Sequence, residues 1–311
     1  MKDFHARAYH ADDAAAVAEL INVVFQAGGW NAGHTAAEIE DVVNNEVKDP
    51  ATDTLLITDA EGRLVAAALV PPPPEGGHRI ELIGGVHPDR RGAGIGRELL
   101  AWQLDRAATR HAETAPDTEW LGQVAAGVAD TSASRLYERF GFTVGRYFLQ
   151  MTAPTTPPPV ATPAAGVRIA PYDQAQDREL HAVHTSAFRD LWAHQDRDFE
   201  SWAALTVRSE TFLPDLSRVA LANDKIIAYV LPYAHAAPDR LYIGQVGTVD
   251  SWRRRGVATS LLADVLGAAG RAGYTHAALD TDADNPTDAA DIYAKAGFVI
   301  DQHIAVYCKP V

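Results

Sequence analysis

The sequence predicts an α/β protein made of two tandem copies of one unit, each a mixed, mostly antiparallel central sheet flanked by helices. Three observations predict it. The basic, Gly-rich run VHPDRRGAGIGRELL from Val86 is matched by VDSWRRRGVATSLL from Val249. Each run is followed by a tyrosine-bearing signature ending in Gly-Phe, LYERFGF to Phe142 and IYAKAGF to Phe298. The same pair in the same order, roughly 160 residues apart, marks duplication of a whole domain. Finally, the proline-dense stretch from Ala153 to Gly166 excludes helix and sheet and reads as a semi-rigid extended linker. The expected division is therefore 1–152, linker 153–166, and 167–311.

Each element follows in order. FHARAY reads as an opening strand. Asp12 can cap a helix from Ala14 to Phe25, where Val17, Leu20, Ile21 and Val24 fall at helical spacing. A second helix covers Ala36 to Val47. Strands follow at 54–58, 64–70 and 79–86, then a helix over 94–110. A strand at 120–124, a helix at 132–140 and a strand at 142–151 close the unit. The second copy repeats this order. It has a strand at VRIAPY, helices at 174–188 and 199–207, and strands at 218–221, 226–232 and 241–249. A long helix over 258–271 carries Leu261, Leu262, Val265 and Leu266 at core spacing. A strand at 277–280, a helix at 287–296 and a strand to Cys308 end it. Alternation of strands and helices in each half gives a mixed α/β unit.

Length and composition bound the function. A chain of 311 residues has room for two domains with proper cores. A formal charge of −14 argues against a general nucleic-acid binder and is compatible with a cationic acceptor such as an amine. Cys308 is the sole cysteine, so no intrachain disulfide forms. The start lacks the apolar stretch of a signal peptide, and no run reaches membrane-span length. A cytoplasmic protein without membrane partners is expected, as a monomer or homodimer.

In Arg91-Gly92-Ala93-Gly94-Ile95-Gly96 a strand turns directly into a helix. The first turn of a helix has free N–H groups and a positive dipole end, so it receives anions. Small residues let a diphosphate approach the backbone. Arg90 and Arg91 add forked guanidinium donors. The second loop, Arg254-Arg255-Gly256-Val257-Ala258-Thr259-Ser260, follows the same plan, and Ser260 adds a hydroxyl. A P-loop is excluded because neither loop has the required Lys, and a dinucleotide fingerprint because Gly92, Gly94 and Gly96 are spaced G-x-G-x-G.

Together these residues resemble the Gcn5-related N-acetyltransferase (GNAT) superfamily. Arg91, Gly94 and Gly96 match its R-x-x-G-x-G/A element; Arg255 and Ala258 match in the second half, with Ser260 a mild departure. Tyr137 and Tyr293 match its tyrosine helix. The tandem arrangement at this length is similar to the mycothiol synthase group. The resemblance implies acetyl-CoA or another acyl-CoA as co-substrate; separately, the spacing of the histidines leads to an expectation of no metal. The resemblance also implies backbone N–H donors to the thioester carbonyl around Gly85–Val86 and Thr248–Val249. Tyr137 and Tyr293 would protonate the leaving thiolate. Tyr293 is preferred, because Asn285 matches an asparagine common there, whereas Asp130 would set a carboxylate beside an anionic ligand. Glu81 occupies the position where many members carry a carboxylate base. Asp280 and Asp282 offer an alternative through water.

The first two helices and their loop wall the acceptor in this family. Trp30 and His34 stand there in the first half, Trp192 and His194 in the second; plain packing is an equal reading of both tryptophans. Neither histidine has companion ligands at metal spacing. The expected reaction is acetyl transfer to a small-molecule amine, catalysed by one half. Acetylation of a protein N-terminus or lysine, modification of a polycationic antibiotic, and a non-catalytic CoA-binding sensor or scaffold remain open.

Overall fold

The computed structural model describes residues 4–31, 33–160, 162–192 and 194–311. Contacts divide the chain into two compact units, Met1–Tyr147 with His303–Val311, and Phe148–Gln302. The division by sequence differs at both ends of this exchange. Residues 148–152 belong with the second unit, and the last nine residues with the first.

The first unit runs β1 (Phe4–Arg7), α1 (Ala14–Ala27), α2 (Ala36–Asn45), α3 (Pro50–Asp53), β2 (Thr54–Asp59), β3 (Leu64–Leu69), β4 (Arg79–Glu81), β5 (Ile83–Val86), α4 (Ile95–Thr114), β6 (Leu121–Gly127), α5 (Thr131–Arg139) and the start of β7 (Thr143–Pro154). β1, β2, β3 and β5 pair in that order, all antiparallel. β4 lies parallel to β6 instead, Arg79 opposite Leu121. The end of β13 (Val299–Pro310) closes β6 antiparallel, Ile304 opposite Gly127 and Pro310 opposite Leu121. α1 forms where Val17, Leu20, Ile21 and Val24 make one apolar stripe, which is buried with Ile39 and Val43 of α2. α2 begins with a capping box: Thr35 Oγ1 accepts from Glu38 N at 3.1 Å, and Glu38 Oε2 accepts from Thr35 N at 2.8 Å.

The second unit runs from the end of β7 through β8 (Arg168–Pro171), α6 (Asp177–Phe188), α7 (Phe199–Leu205), β9 (Arg218–Ala222), β10 (Lys225–Ala234), β11 (Arg240–Thr248), α8 (Val257–Arg271), β12 (His276–Asp282) and α9 (Ala289–Lys295) to the start of β13. Its sheet order is β7, β12, β11, β10, β9, β8. Only the β11–β12 pair is parallel. α8 buries Leu261, Leu262, Val265 and Leu266 in the main core.

The linker is not a free spacer. Ala153 and Pro154 still pair in the sheet with Ala277 and His276, because proline is tolerated where a strand ends. The segment then packs along α8. Thr155 Oγ1 donates to Tyr274 O at 2.5 Å, and Ser260 Oγ donates to Thr162 O at 3.0 Å. A Cβ on Gly270 would stand 2.9 Å from Thr156 Oγ1, so glycine there is what lets the segment lie close. Among the described residues, no helix is long and apolar enough to cross a membrane.

One buried charge cluster ties α3 and β2 to α4. Asp53 is fully buried and accepts from Arg106 Nε at 2.6 Å and from Arg110 Nη2 at 2.5 Å. Burial alone would raise its pKa, but the bonds from Arg110 and Arg106 outweigh this and lower it. A carboxyl with a lowered folded-state pKa contributes stability that is present above its unfolded value and lost as pH falls. Asp53→Ala is expected to cost about 3–5 kcal/mol at pH 7, since it leaves two arginines short of their counter-charge. Chemical denaturation checks it: the gap between wild type and variant narrows below about pH 4.

Candidate functional site

The site in the first unit begins where one strand changes partners. Leu82 N donates to Gln123 O at 2.9 Å, the last main-chain bond from this strand to β6. From Ile83 onward the chain pairs with β3 alone. His87 N bonds Val65 O at 2.8 Å, which places 87 and 85 at hydrogen-bonded positions toward β3. By antiparallel alternation, the N–H groups of Gly84 and Val86 face the open edge. The sequence reading placed these donors at Gly85–Val86; Val86 stays on the open edge, but Gly85 is turned toward β3. Gly84 has φ +135°, and a Cβ there would sit 2.0 Å from Ala67 O. Only glycine fits.

The strand then enters the basic loop. Gly92 and Gly94 adopt positive φ, and Gly94 caps α4 with no side-chain partner, so the first amides of α4 stay open. The two loop arginines are engaged elsewhere. Arg90 Nη2 bonds the buried Asp59 at 2.9 Å and does not line the cleft. Arg91 Nη2 reaches Asp130 Oδ2 at 3.1 Å. Asp130 also caps α5, accepting from Ser132 N at 3.1 Å and Ala133 N at 3.0 Å. Its charge is thus countered by one guanidinium and bonded by two amides, which weakens the reason for treating it as hostile to an anionic ligand.

Between β5 and β6 lies a cleft of about 710 Å³. It runs from Gly92, Gly94 and Gly96 past Leu99, Leu100 and Gln103 of α4 to Gly84, Ala125 and Tyr137. Gln103 Nε2 donates to Ile83 O at 2.9 Å and so satisfies a carbonyl that the divergence would leave bare. Tyr137 OH lies 3.5 Å from Ala125 O, and its ring packs on Phe142 and Tyr307. Burial, then the Asp130 charge, raises its pKa, so the phenol stays protonated. Glu81 is exposed at the end of β4, and the cleft is lined by its neighbour Leu82. Arg97, Arg135 and Arg139 also line the cleft. Sequence reasoning missed them, although the i,i+4 spacing of two arginines on the tyrosine helix was a visible signal.

The acceptor-side residues of this unit split. Trp30 stacks on Phe25, with centroids 4.2 Å apart, and Phe25 is the ring that lines the cleft. Asn22 fastens the loop through two 2.8 Å bonds with His34 main-chain atoms. Trp30 and His34 support the wall rather than form it.

The second unit corrects the register of its loop. Gly256 has φ +76° and caps α8 as Gly94 caps α4, so R-x-x-G-x-A is carried by Arg253, Gly256 and Ala258. The match on Arg255, Ala258 and Ser260 is two residues out of step. Arg254, at φ +58°, stands where Gly92 does, and Arg255 lies over the Trp252 ring. Ser260 is buried, and its hydroxyl lies 3.0 Å from Thr162 O and 3.1 Å from Gly256 O, either of which can take its one proton. Val249 N bonds Ile227 O, which leaves Thr248 as the open-edge amide. Thr259 follows in the first turn of α8. Burial pushes the Tyr293 phenol up to about 12. Asn285 Oδ1 accepts from Thr287 N at 2.9 Å and Thr287 Oγ1 at 2.7 Å, a turn-forming role.

A smaller cavity of about 200 Å³ in this unit is lined by His184, His194, Arg197, Trp202, Thr206 and Gln245, among others. His194 lies there as expected on the acceptor side; Trp192 packs near Phe148 instead. His184 was not foreseen. Its Nδ1 lies 2.8 Å from Tyr229 OH, which donates to Gln245 Oε1 at 3.3 Å. Gly247 makes room for the Tyr229 ring, since a Cβ there would be 2.4 Å from it. Among the described residues, no group of three acidic, histidine or cysteine side chains is placed to hold a metal.

Comparison with known proteins bears on both units. The Acetyltransferase (GNAT) family matches residues 178–298, and the Acetyltransferase (GNAT) domain matches residues 51–144. Together the two matches span more than half of the chain. A GCN5-related N-acetyltransferase structure from Sphaerobacter thermophilus is 27% identical with a TM-score of 0.80, covering 99% of this chain and 95% of that one. A tandem GNAT protein from the clavulanic acid biosynthesis pathway is 14% identical with a TM-score of 0.71, covering 99% and 98%. Saccharomyces cerevisiae N-myristoyltransferase with bound myristoyl-CoA is 14% identical with a TM-score of 0.64, covering 99% and 79%. Among curated proteins, none is similar enough in sequence to count as a relative.

The His184 environment has a measurable consequence. Burial, then the nearby His194 and His181, lowers its pKa to about 4. A histidine protonated more readily in the unfolded chain makes stability fall as pH drops from about 6.5 toward 4. His184→Phe is expected to flatten that slope by about 3 kcal/mol relative to wild type. Denaturation midpoints at pH 7 and pH 4.5 measure it.

Proposed function

The chain belongs to the GNAT acetyltransferase family, with two of its domains in tandem, and from that premise we propose that it moves an acetyl group from acetyl-CoA to a primary amine of a small molecule. The carrying observation is the 710 Å³ cleft, which joins an uncapped helix start to a half-buried phenol along an open strand edge. The bound co-substrate supplies an activated acyl group; everything else falls to residues of the first unit. The amides of Ile95 and Gly96 receive the diphosphate, with Arg97 beside them. Leu99, Leu100 and Gln103 flank the pantetheine arm. Gly84 and Val86 amides face the carbonyl oxygen, where negative charge develops; one such donor is worth on the order of a hundredfold in rate. Tyr137 gives its proton to the departing sulfur.

The far end of the cleft supports a short acyl group and a small acceptor. α1 closes directly over both strands. A Cβ on Gly85 would meet Val24 Cγ1 at 2.7 Å, and one on Gly127 would meet Gly28 O at 2.2 Å. No room is left behind β5 for a long chain. Among the described residues, Asp130 is the sole acid lining the cleft, and it is committed to Arg91 and the α5 cap. The amine proton therefore leaves through water, with Glu81 outside the lining. This reading moves the preferred acid from Tyr293 to Tyr137.

Thiol release with an amine panel tests it. Tyr137→Phe is expected to lower kcat by about a hundredfold while leaving acetyl-CoA binding intact, and Tyr293→Phe to stay within about twofold of wild type. Full activity in Tyr137→Phe overturns the assignment.

A further inference from the structure

Among the described residues, three guanidinium groups line the first unit's cleft without an acidic partner. Arg97 stands in the first turn of α4; Arg135 and Arg139 stand on α5. The fourth lining arginine, Arg91, is taken by Asp130. An i,i+4 pair of like charges weakens a helix. The second unit shows what the same positions look like without that cost. Aligned on Tyr293 and its Gly-Phe, α9 carries Asp291 and Lys295, a favourable i,i+4 pair. Aligned on Gly256, α8 carries Thr259 where α4 has Arg97. The like-charge pair on the tyrosine helix is therefore a feature of the first unit alone.

The diphosphate is already provided for by the opening amides of α4. Arg97 lies over that loop, its Nη2 3.6 Å from where a Gly94 Cβ would be. Arg135 and Arg139 are surplus to this need and sit on the opposite wall. Leu136 between them packs toward Gly96, its Cδ2 3.4 Å from a Cβ built there, so this helix face borders the phosphate loop. Two neighbouring guanidinium forks suit a phosphomonoester dianion better than either fork alone.

We infer that Arg135 and Arg139 read the 3′-phosphate of coenzyme A, so that the first unit selects CoA thioesters over donors lacking that group. The inference rests on the donor site proposed above. It also sets a preference against dephospho-CoA and against pantetheine thioesters on a carrier protein. The second unit, with Asp291 and Lys295 in their place, has no such selection.

Calorimetry on the full chain with CoA and dephospho-CoA tests it without turnover. Wild type is expected to bind CoA about ten- to a hundredfold tighter than dephospho-CoA. Arg135→Gln/Arg139→Gln is expected to lose that difference and to bind dephospho-CoA as wild type does. Both positions are exposed, and an unchanged thermal midpoint confirms that the variant folds. Equal wild-type affinity for the two ligands overturns the inference while leaving the donor site standing, as does a double variant that keeps full discrimination. If neither ligand binds wild type, the donor site itself falls and the inference with it.

Discussion

The hydrogen bond from Leu82 N to Gln123 O is the hinge on which the first unit's cleft depends. Before it the motif strand follows β6; after it the strand follows β3. Parting two strands inside a sheet leaves backbone groups bare, and bare buried amides and carbonyls cost free energy. The fold answers in two ways. Gln103 reaches in from α4 to take the Ile83 carbonyl, and the Gly84 and Val86 amides are left along a cleft wide enough for a ligand. The opening is held by steric exclusion from the other side, where Ala67 O stands against Gly84 and Val24 against Gly85. Cleft and closed wall are two faces of one packing arrangement.

Duplication supplied two such arrangements, and they have diverged in chemistry more than in form. Both loops cap their helix with a left-handed glycine, and both first arginines are turned to structural use. Arg91 bridges to Asp130, while Arg253 holds Ala187 O and Thr248 O. Beyond the loops the units part. The first leaves arginines facing its cleft. The second fills the space beside its motif strand with Tyr229, seated against Gly247 and joined to His184 and Gln245. Its long helix carries the proline-rich segment, and Ser260 is spent on fastening it.

Much of this was legible in the chain. The duplication, the order of strands and helices, and the Gly-rich turns follow from repeated residue patterns with local causes. What escaped were facts set by three-dimensional pairing. The second loop was read two residues out of register, because Arg253, Arg254 and Arg255 are interchangeable on paper; only the left-handed Gly256 says where the helix begins. Arg90 and Arg91 looked like phosphate ligands, since nothing local shows that Asp59 and Asp130, 31 and 39 residues away, claim them. His184 looked like one more polar helix position until β10 and β11 brought Tyr229 and Gln245 beside it.

The strand exchange binds these observations together. Tyr137 is the tyrosine that lines the cleft, and the ring packed on it is Tyr307, 5.4 Å away and within the last nine residues. Ala305 and Tyr307 join Val124 and Phe142 in the core beneath α5. Conversely, Leu149, Met151 and Ala153 of β7 are buried in the main core of the second unit. The first unit is therefore completed by a strand segment from the far end of the chain, and the second begins with the end of the strand that closes the first repeat. A repeat cut out at residue 152 would carry the loop and the tyrosine but lack the strand that backs them. The first unit's cleft thus depends on both ends of the chain, because Ile304–Pro310 pairs with β6, the strand that forms one side of it.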